Sequence, residues 1–357
     1  MTGQTETGGR AETAQPRPPC EIAVLLPCYN EEATIARVVM GFRAALPGAR
    51  IYVFDNNSTD MTAIAAGVAG AMVVREPRQG KGNVVRRMFS DIDADIYLMA
   101  DGDGTYAPED APELVRTLRT ERVDMVVGTR REVTQDAGRK GHAFGNALFN
   151  RLYHALFGRD FTDILSGYRA FTRRYVKSFP AVSNGFEIET EMSVHASQLK
   201  LPVCELPLDY GRRPEGSESK LSTFGDGFRI LWMFAMLAKE TRPVFFFGTI
   251  AAALLTASMG LMVPVLLEFF ATGLVERVPS WMLGVTLLTM ALLVGMAGLI
   301  LDQVARGRAE TKRMAYLAVP GPDGIGALDT AALDIGAGLV PDAEADMAGH
   351  AAVARIA

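Results

Sequence analysis

Two long runs without a charged residue constrain the fold of this chain more than any other feature. Residues 244–267 and 278–301 each contain no Asp, Glu, Lys or Arg. At a rise of about 1.5 Å per residue, each run is long enough to cross a hydrocarbon core of about 30 Å. Two buried helices of a large soluble core are the alternative, but uncharged runs this long are rarely core helices. The sequence therefore predicts a transmembrane hairpin over residues 243–303.

Basic residues predict how this hairpin is oriented. They flank it on both outer sides: Lys239, Arg242, Arg306, Arg308, Lys312 and Arg313. The connection 268–280 has only Arg277, which Glu268 and Glu276 offset. Because cytosolic flanks of membrane spans are enriched in Lys and Arg, we expect the connection outside and both chain ends in the cytosol. Residues 1–19 contain no apolar signal segment, so we expect the catalytic part on the cytosolic side of the cytoplasmic membrane.

Ahead of the hairpin, short apolar runs alternate with helical patterns. The runs lie at residues 21–27, 50–54, 71–74, 96–100 and 123–127, and a later extended segment covers 165–171. Strands and helices at this spacing imply βαβ units. The sequence therefore predicts an α/β fold with a mainly parallel sheet flanked by helices. In such sheets ligands bind beyond the carboxyl ends of the strands.

The run at 96–100 leads directly into two carboxylates, Asp101 and Asp103. Mg²⁺ takes one or two protein carboxylates and completes its shell with water and substrate phosphates. A calcium loop is excluded, because that motif needs Gly and Glu where this chain has Tyr106 and Pro112. A solvated acidic turn is the alternative for such a segment alone. The pair predicts a site for a divalent cation, Mg²⁺ or Mn²⁺.

Other polar residues fall at the same predicted strand ends. Tyr29, Asp55 and Arg130 each follow or end an apolar run, which argues for one active site. Arg130 and Arg139 belong to basic clusters at a strand end and a helix start, a pattern that favours phosphate contact over plain surface charge. His195 lies on an apolar helical stripe and is expected to be a hydrogen-bonded core residue rather than a ligand.

Three classes of protein are disfavoured by the sequence. Gly80-Lys81-Gly82 lacks the remaining residues of a phosphate-binding loop, and no Gly-x-Gly-x-x-Gly follows the first strand, which argues against a dinucleotide-binding enzyme. A net charge of −5 gives no sign of a nucleic-acid partner. Three cysteines without paired spacing suit a reducing compartment.

Several motifs resemble those of inverting glycosyltransferases of family two, which have the GT-A fold. They are Leu26-Pro27-Cys28-Tyr29-Asn30-Glu31-Glu32, Asp55-Asn56-Asn57-Ser58-Thr59-Asp60, Gly80-Lys81-Gly82 and Asp101-Gly102-Asp103. Later motifs resemble the polyprenyl- and dolichyl-phosphate glycosyltransferases of that family, such as dolichol-phosphate mannose synthase. They are Gly128-Thr129-Arg130, Asp163-Ile164-Leu165-Ser166-Gly167-Tyr168-Arg169, Gly185-Phe186-Glu187-Ile188-Glu189 and Glu218-Ser219-Lys220-Leu221. The similarity covers roughly residues 21–235.

The resemblance implies roles for residues in these motifs. Nucleotide-sugar binding is implied for six of them: Pro27, Tyr29, Glu31, Asp55, Lys81 and Asp101. Metal contact is implied for three: Asp101, Asp103 and Thr105. Contact with the sugar or its leaving group, with the acceptor phosphate or with a lid is implied for the catalytic set: Asp103, Asp163, Glu189, Arg130, Arg139 and Lys220.

The implied activity is inverting transfer of a sugar from a UDP- or GDP-hexose to a polyprenyl phosphate at the membrane, with a homo-oligomer left open. A processive polysaccharide synthase is disfavoured, because its Gln-x-x-Arg-Trp element is absent. Transfer to a ceramide or diacylglycerol hydroxyl is a second alternative, and it would demand a general base such as Asp163. A non-catalytic nucleotide-sugar-binding membrane protein is the third.

The predicted organisation follows from these elements. It comprises a disordered leader (1–19), a cytosolic GT-A catalytic domain (20–220), an interfacial amphipathic helix (221–242), the transmembrane hairpin (243–303) and a cytosolic, mostly disordered tail (304–357).

Overall fold

The catalytic part of the chain is built on a mixed sheet. The computed structural model describes residues 20–130, 161–185, 187–211, 235–236 and 238–321. The strands within these ranges are β1 (Ile22–Cys28), β2 (Arg50–Asp55), β3 (Met72–Arg75), β4 (Ile96–Met99), β5 (Met125–Arg130), β6 (Arg169–Thr172) and β7 (Val203–Leu208). They pair in the order β3-β2-β1-β4-β6-β5-β7. β2 and β3 are added on one side of β1, whereas β4 is added on the other side. The gap between β1 and β4 is therefore the topological switch point at which open α/β sheets bind ligands.

Strand directions confirm the predicted mainly parallel sheet. β1 pairs in parallel with β2 and β4, β2 with β3, and β5 with β7. β6 runs antiparallel to both of its neighbours, β4 and β5. It occupies the end of the segment that the sequence predicts as extended.

Helices pack on both faces of this sheet. They are α1 (Glu32–Ala45), α2 (Thr62–Val68), α3 (Lys81–Asp91), α4 (Ala111–Thr120), α5 (Arg173–Ser178) and α6 (Ile188–Leu199). Strand β4 is buried along its whole length, with Tyr97 and Met99 in the apolar cluster of one face and Ile96 and Leu98 in that of the other. Its continuous apolar run is what a parallel strand covered on both faces requires. Because β4 is covered on both faces, the polar residues that follow it, Asp101 and Asp103, lie beyond its carboxyl end.

Two much longer helices follow the catalytic part. α7 (Pro243–Thr272) and α8 (Val278–Ala318) each contain a window of mean hydropathy 2.2, of which only 11% and 17% is buried inside the protein. Low burial distinguishes them from core helices, which hide their apolar side chains. By length and composition both are able to cross a membrane.

Two predicted boundaries differ from the observed ones. β5 continues to Arg130, so this arginine is the last residue of a strand that pairs with β7 along its full length. α8 continues past residue 303 to Ala318, because residues 302–318 are rich in Ala and Arg, which favour helix. The predicted helix start near Arg139 and most of the predicted interfacial helix lie outside the described residues. The domain limits stay predictions.

Candidate active site

The candidate site forms where β1, β2, β4 and β5 end. Asp55 is the last residue of β2 and Arg130 the last residue of β5. Tyr29 directly follows β1, and Asp101 lies two residues after the end of β4. Parallel register brings the carboxyl ends of β1, β2 and β4 to one edge of the sheet. The structure therefore places Tyr29, Asp55, Asp101 and Arg130 at the same edge of the sheet, and their shared role in one site stays a prediction.

The loop after β4 is held in one shape by short hydrogen bonds. The Thr105 backbone N–H and hydroxyl both donate to Asp103 Oδ1, at 3.1 and 2.6 Å. Gly104 has a φ of 72°, in the left-handed region that glycine adopts without steric cost. The Thr34 hydroxyl donates to the Gly102 carbonyl at 2.8 Å and ties the loop to α1. Asp103 is thereby buried and oriented before any ligand binds.

Lys81 joins the acidic loop to helix α6. Its Nζ lies 2.5 Å from Asp101 Oδ1 and 2.5 Å from Glu189 Oε1. Burial lowers the pKa of Lys81, but the two carboxylates outweigh this and raise it above its ordinary value. Burial raises the pKa of Glu189, an effect that Lys81 only partly offsets. The sequence motif predicts Lys81 as a nucleotide contact, whereas the structure places it between two carboxylates.

Arg130 and Asp163 form a two-pronged ion pair. Arg130 Nε lies 2.7 Å from Asp163 Oδ2, and Nη2 lies 2.8 Å from Oδ1. Burial raises the pKa of Asp163, but hydrogen bonds and charge from Arg130 bring it below its ordinary value. The guanidinium also lies over the Tyr210 ring, with Cζ 5.4 Å from its centroid. Arg130 and Asp163, two residues of the predicted catalytic set, thus hold each other in place.

Tyr106 is a site residue that sequence reasoning missed. Its hydroxyl accepts a hydrogen bond from the Gly167 N–H at 2.9 Å and lies 3.4 Å from Ser166 Oγ. A Cβ on Gly167 would come within 2.8 Å of Asp101 Oδ2, so any larger residue here would require this carboxylate to shift. Tyr106 therefore links the loop after β4 to the segment before β6. Its position directly after the acidic motif was the available signal.

Asn56 was also missed, although it lies inside a quoted motif. Its Nδ2 donates to the carbonyls of Glu76 and Arg78, and its Oδ1 accepts from the Gly80 N–H at 2.7 Å. These bonds shape the loop that begins α3 and so place Lys81. A polar residue directly after the last strand residue, Asp55, was the available signal.

The remaining predicted nucleotide contacts lie around the end of β1. Pro27 is paired with Phe54 of β2 and is buried. The Glu31 N–H donates to Thr62 Oγ1 at 2.8 Å, and Asp55 Oδ1 accepts from the Ser58 N–H at 3.3 Å. Arg139 and Lys220 lie outside the described residues. Their roles stay predictions.

The acidic pair fits a divalent cation that is shared with a diphosphate. Among the described residues, no group of three His, Cys, Asp or Glu side chains gathers into a complete protein cage. The carboxylates of Asp101 and Asp103 would offer hard oxygen ligands, enough for Mg²⁺ or Mn²⁺ when phosphates and water complete the shell. The Thr105 hydroxyl orients Asp103 by donating to it, and its own role as a ligand stays a prediction.

Comparison with known proteins agrees with this geometry. The chain is 38% identical over 262 residues to the glycosyltransferase AglJ of Haloferax volcanii, a match covering 73% of this chain and 86% of AglJ. It is 28% identical over 218 residues to the undecaprenyl-phosphate mannosyltransferase of Micrococcus luteus, covering 56% and 87% of the two chains.

A solved relative shares the fold. Glucosyl-3-phosphoglycerate synthase from Mycobacterium tuberculosis, solved with Mn²⁺, UDP-glucose and phosphoglyceric acid, superimposes with a TM-score of 0.51 at 26% identity, covering 62% of this chain and 79% of the other. This likeness confirms the predicted GT-A type sheet. The profile of Glycosyl transferase family 2 matches residues 23–179. On these grounds the chain belongs to glycosyl transferase family 2.

Proposed function

We propose that this chain transfers a sugar, with inversion, from a UDP- or GDP-hexose to a polyprenyl phosphate at the cytosolic face of the cytoplasmic membrane. Family membership supports sugar transfer. The relative from Micrococcus luteus, named for undecaprenyl phosphate, supports a lipid phosphate acceptor, and the two long apolar helices support a membrane location. The Mn²⁺ and UDP-glucose in the solved relative support a metal-assisted nucleotide-sugar site.

The Arg130–Asp163 pair carries the choice of acceptor. A lipid hydroxyl loses its proton during transfer and needs a general base whose pKa lies near the working pH. The hydroxyl alternative demands a general base such as Asp163, but Arg130 holds the pKa of this carboxyl below its ordinary value. An acceptor phosphate is already anionic and needs no such base. This geometry therefore favours a phosphate acceptor.

The same pair offers a means of orienting that phosphate. A guanidinium has five N–H donors, and the bonds to the Asp163 carboxylate use two of those on Arg130. Remaining donors can bind a phosphate oxygen, a pairing that guanidinium geometry suits well. Arg139 and Lys220 are proposed as further phosphate or lid contacts.

The proposed transfer is a single displacement that relies on positioning and charge. One oxygen of the acceptor phosphate forms a bond to the anomeric carbon, while the bond from that carbon to the diphosphate oxygen breaks on the opposite face. A cation held by Asp101 and Asp103 would neutralise the departing diphosphate as a Lewis acid. We propose that Asp163 and Glu189 face the sugar and that the residues at the ends of β1 and β2 border base and ribose.

A product assay tests this proposal. Membranes containing the chain are incubated with labelled UDP- and GDP-hexoses, with polyprenyl phosphate, ceramide or diacylglycerol added separately. We expect label in a lipid product only with polyprenyl phosphate. We also expect mild acid to release this label, because a sugar joined through phosphate at its anomeric carbon is acid-labile.

Membranes carrying an Asp103→Asn variant serve as the matched control and should give about a hundredfold less product. Acid-stable label in ceramide or diacylglycerol would replace the proposal with the hydroxyl alternative. Binding of nucleotide-sugar without transfer to any of the three lipids would leave a non-catalytic binding protein.

A further inference from the structure

The end of α8 packs against the catalytic part. After the uncharged run ends at Leu301, the helix continues through residues 302–318 and contacts α5 and α6. Tyr316 is only 6% exposed and belongs to the apolar cluster on that face of the sheet. The long helices and the sheet are therefore joined by a packed surface as well as by the chain itself.

A buried carboxylate lies at the centre of this junction. Asp124, directly before β5, is fully buried and accepts hydrogen bonds from Thr172 Oγ1 at 2.7 Å and from Arg174 Nε and Nη2 at 2.5 and 3.0 Å. The Tyr316 hydroxyl donates to Asp124 Oδ2 at 2.8 Å. Two guanidiniums also contact the Tyr316 ring, with Arg174 Cζ 4.8 Å and Arg313 Cζ 5.1 Å from its centroid. A charge-assisted bond to a buried acid fixes the tyrosine in one place.

Helix α6 connects the same junction to the candidate site. Its first turn carries Glu189, which is paired with Lys81 beside Asp101. At its other end, Arg313 donates to the Leu199 carbonyl at 3.1 Å, where a cation also complements the helix dipole. Lys312 Nζ lies 3.2 Å from the Gln198 side-chain oxygen. An α-helix of this length spans about 18 Å and transmits position as a rigid rod.

We propose that the contacts of Tyr316 and Arg313 with Asp124 and the end of α6 hold the active site at a fixed height and tilt above the bilayer. This inference rests on the proposed function, because it concerns delivery of a lipid phosphate acceptor. The phosphate of a bilayer-embedded acceptor is confined to the membrane surface, so the site must meet it there. A displacement of about 1 Å can cost about a hundredfold in rate when reacting groups must align. Tyr316 and Arg313 are thus positioning residues that do not touch the substrate.

The test compares one acceptor in two surroundings. The full chain carrying Tyr316→Phe and Arg313→Gln is assayed with polyprenyl phosphate in bilayer vesicles and in detergent micelles, which deform around the protein. We expect the initial rate in bilayers to fall by about fivefold or more, with less than about a twofold change in micelles. The KM for the nucleotide-sugar should stay unchanged, because the donor site is intact.

A second measurement follows height directly. Cys20 is the exposed one of the three cysteines, so a dye on it reports energy transfer to labelled lipid headgroups in the same vesicles. We expect the variant to change the transfer efficiency. A matched control, Tyr52→Phe with Arg308→Gln, removes a tyrosine hydroxyl and an α8 guanidinium outside the junction and should behave as the wild type.

An equal fall of the initial rate in bilayers and in micelles would overturn the inference, because it would indicate a general structural role. Unchanged rates and unchanged energy transfer would overturn it as well. If the wild type transfers sugar to polyprenyl phosphate in neither surrounding, the proposed function is wrong and this inference falls with it. If the wild type is active in both surroundings and the variant has the same ratio of bilayer rate to micelle rate, only the positioning role is wrong.

Discussion

At the scale of single residues, the site is organised by two cations that each hold carboxylates in place. Lys81 lies between Asp101 and Glu189, and Arg130 forms an ion pair with Asp163. Each cation comes from a different element than its partners, so each pair also joins parts of the fold. Charge balance and geometry are therefore supplied by the same side chains.

Replacing Lys81 by Met should destabilise the fold. The change leaves two carboxylates close together without their counter-ion, and breaking a buried pair in this way costs about 3 kcal/mol or more. We expect the melting temperature in detergent to fall by roughly 6–12 °C. A second change, Glu189→Gln, should recover part of the loss because it removes one of the two negative charges.

The control for this experiment is Arg116→Met, which removes an exposed ion pair with Glu113. Surface pairs contribute little, so its melting temperature should stay close to that of the wild type. If the Lys81→Met variant has the same melting temperature as the control, the buried cluster does not stabilise the fold.

Asp103→Asn should lower metal-dependent turnover by about a hundredfold or more, because it removes a negative charge that we propose holds the cation. Thr105→Val should cost about tenfold, the usual effect of losing a residue that orients a metal ligand. Initial rates across a Mn²⁺ titration measure both, with the exposed Asp93→Asn as control. Full activity of Asp103→Asn would refute the metal assignment.

At the scale of elements, α6 reaches from the site to the junction with α8, and its interior confirms one sequence prediction. His195 is only 1% exposed, and its Nε2 lies 3.2 Å from Ser178 Oγ. It also packs edge-on against the rings of Tyr175 and Phe179. Burial, together with the nearby charge of Lys312, lowers the pKa of His195 to about 3.

This shift predicts how stability depends on pH. In the unfolded chain His195 takes up a proton below its ordinary pKa of about 6.5, whereas the folded chain resists protonation until about pH 3. Stability from this residue is therefore complete above pH 6.5 and is lost as the pH falls from 6.5 toward 3, by up to about 1.4 kcal/mol per pH unit. His195→Gln retains a hydrogen-bonding group without titrating.

Melting temperatures of both chains between pH 4.5 and 7.5 check this expectation. The variant should show the flatter profile over that interval. Parallel profiles would mean that His195 is not the titrating group.

Element types and order were predictable from the sequence, but several of their relations were not. The apolar run of β4 and the acidic pair after it follow from local pattern. The antiparallel insertion of β6 between β4 and β5 depends on which strand edges remain open after the others pair. The extension of β5 to Arg130 depends on β7 lying alongside it.

At the scale of the whole molecule, the expected orientation puts both chain ends in the cytosol and the α7–α8 connection outside. Leu274→Cys places a thiol in that connection, where Leu274 is 64% exposed. A membrane-impermeant thiol reagent should label this variant in intact cells, whereas Cys20 should react only after permeabilisation. Labelling of Cys20 in intact cells would show that the orientation is the opposite of the predicted one.

By itself the sequence determined the α/β class, the two long apolar helices, the acidic pair and the family, because each depends on local patterns of residue type. It did not determine that Lys81 bridges Asp101 and Glu189, that Arg130 holds Asp163, or that Tyr316 bonds to Asp124 from 192 positions away. Those contacts join elements that become neighbours only when the sheet orders its strands and α8 packs on α5 and α6. The sequence indicated the chemistry, and tertiary packing decided which charges meet.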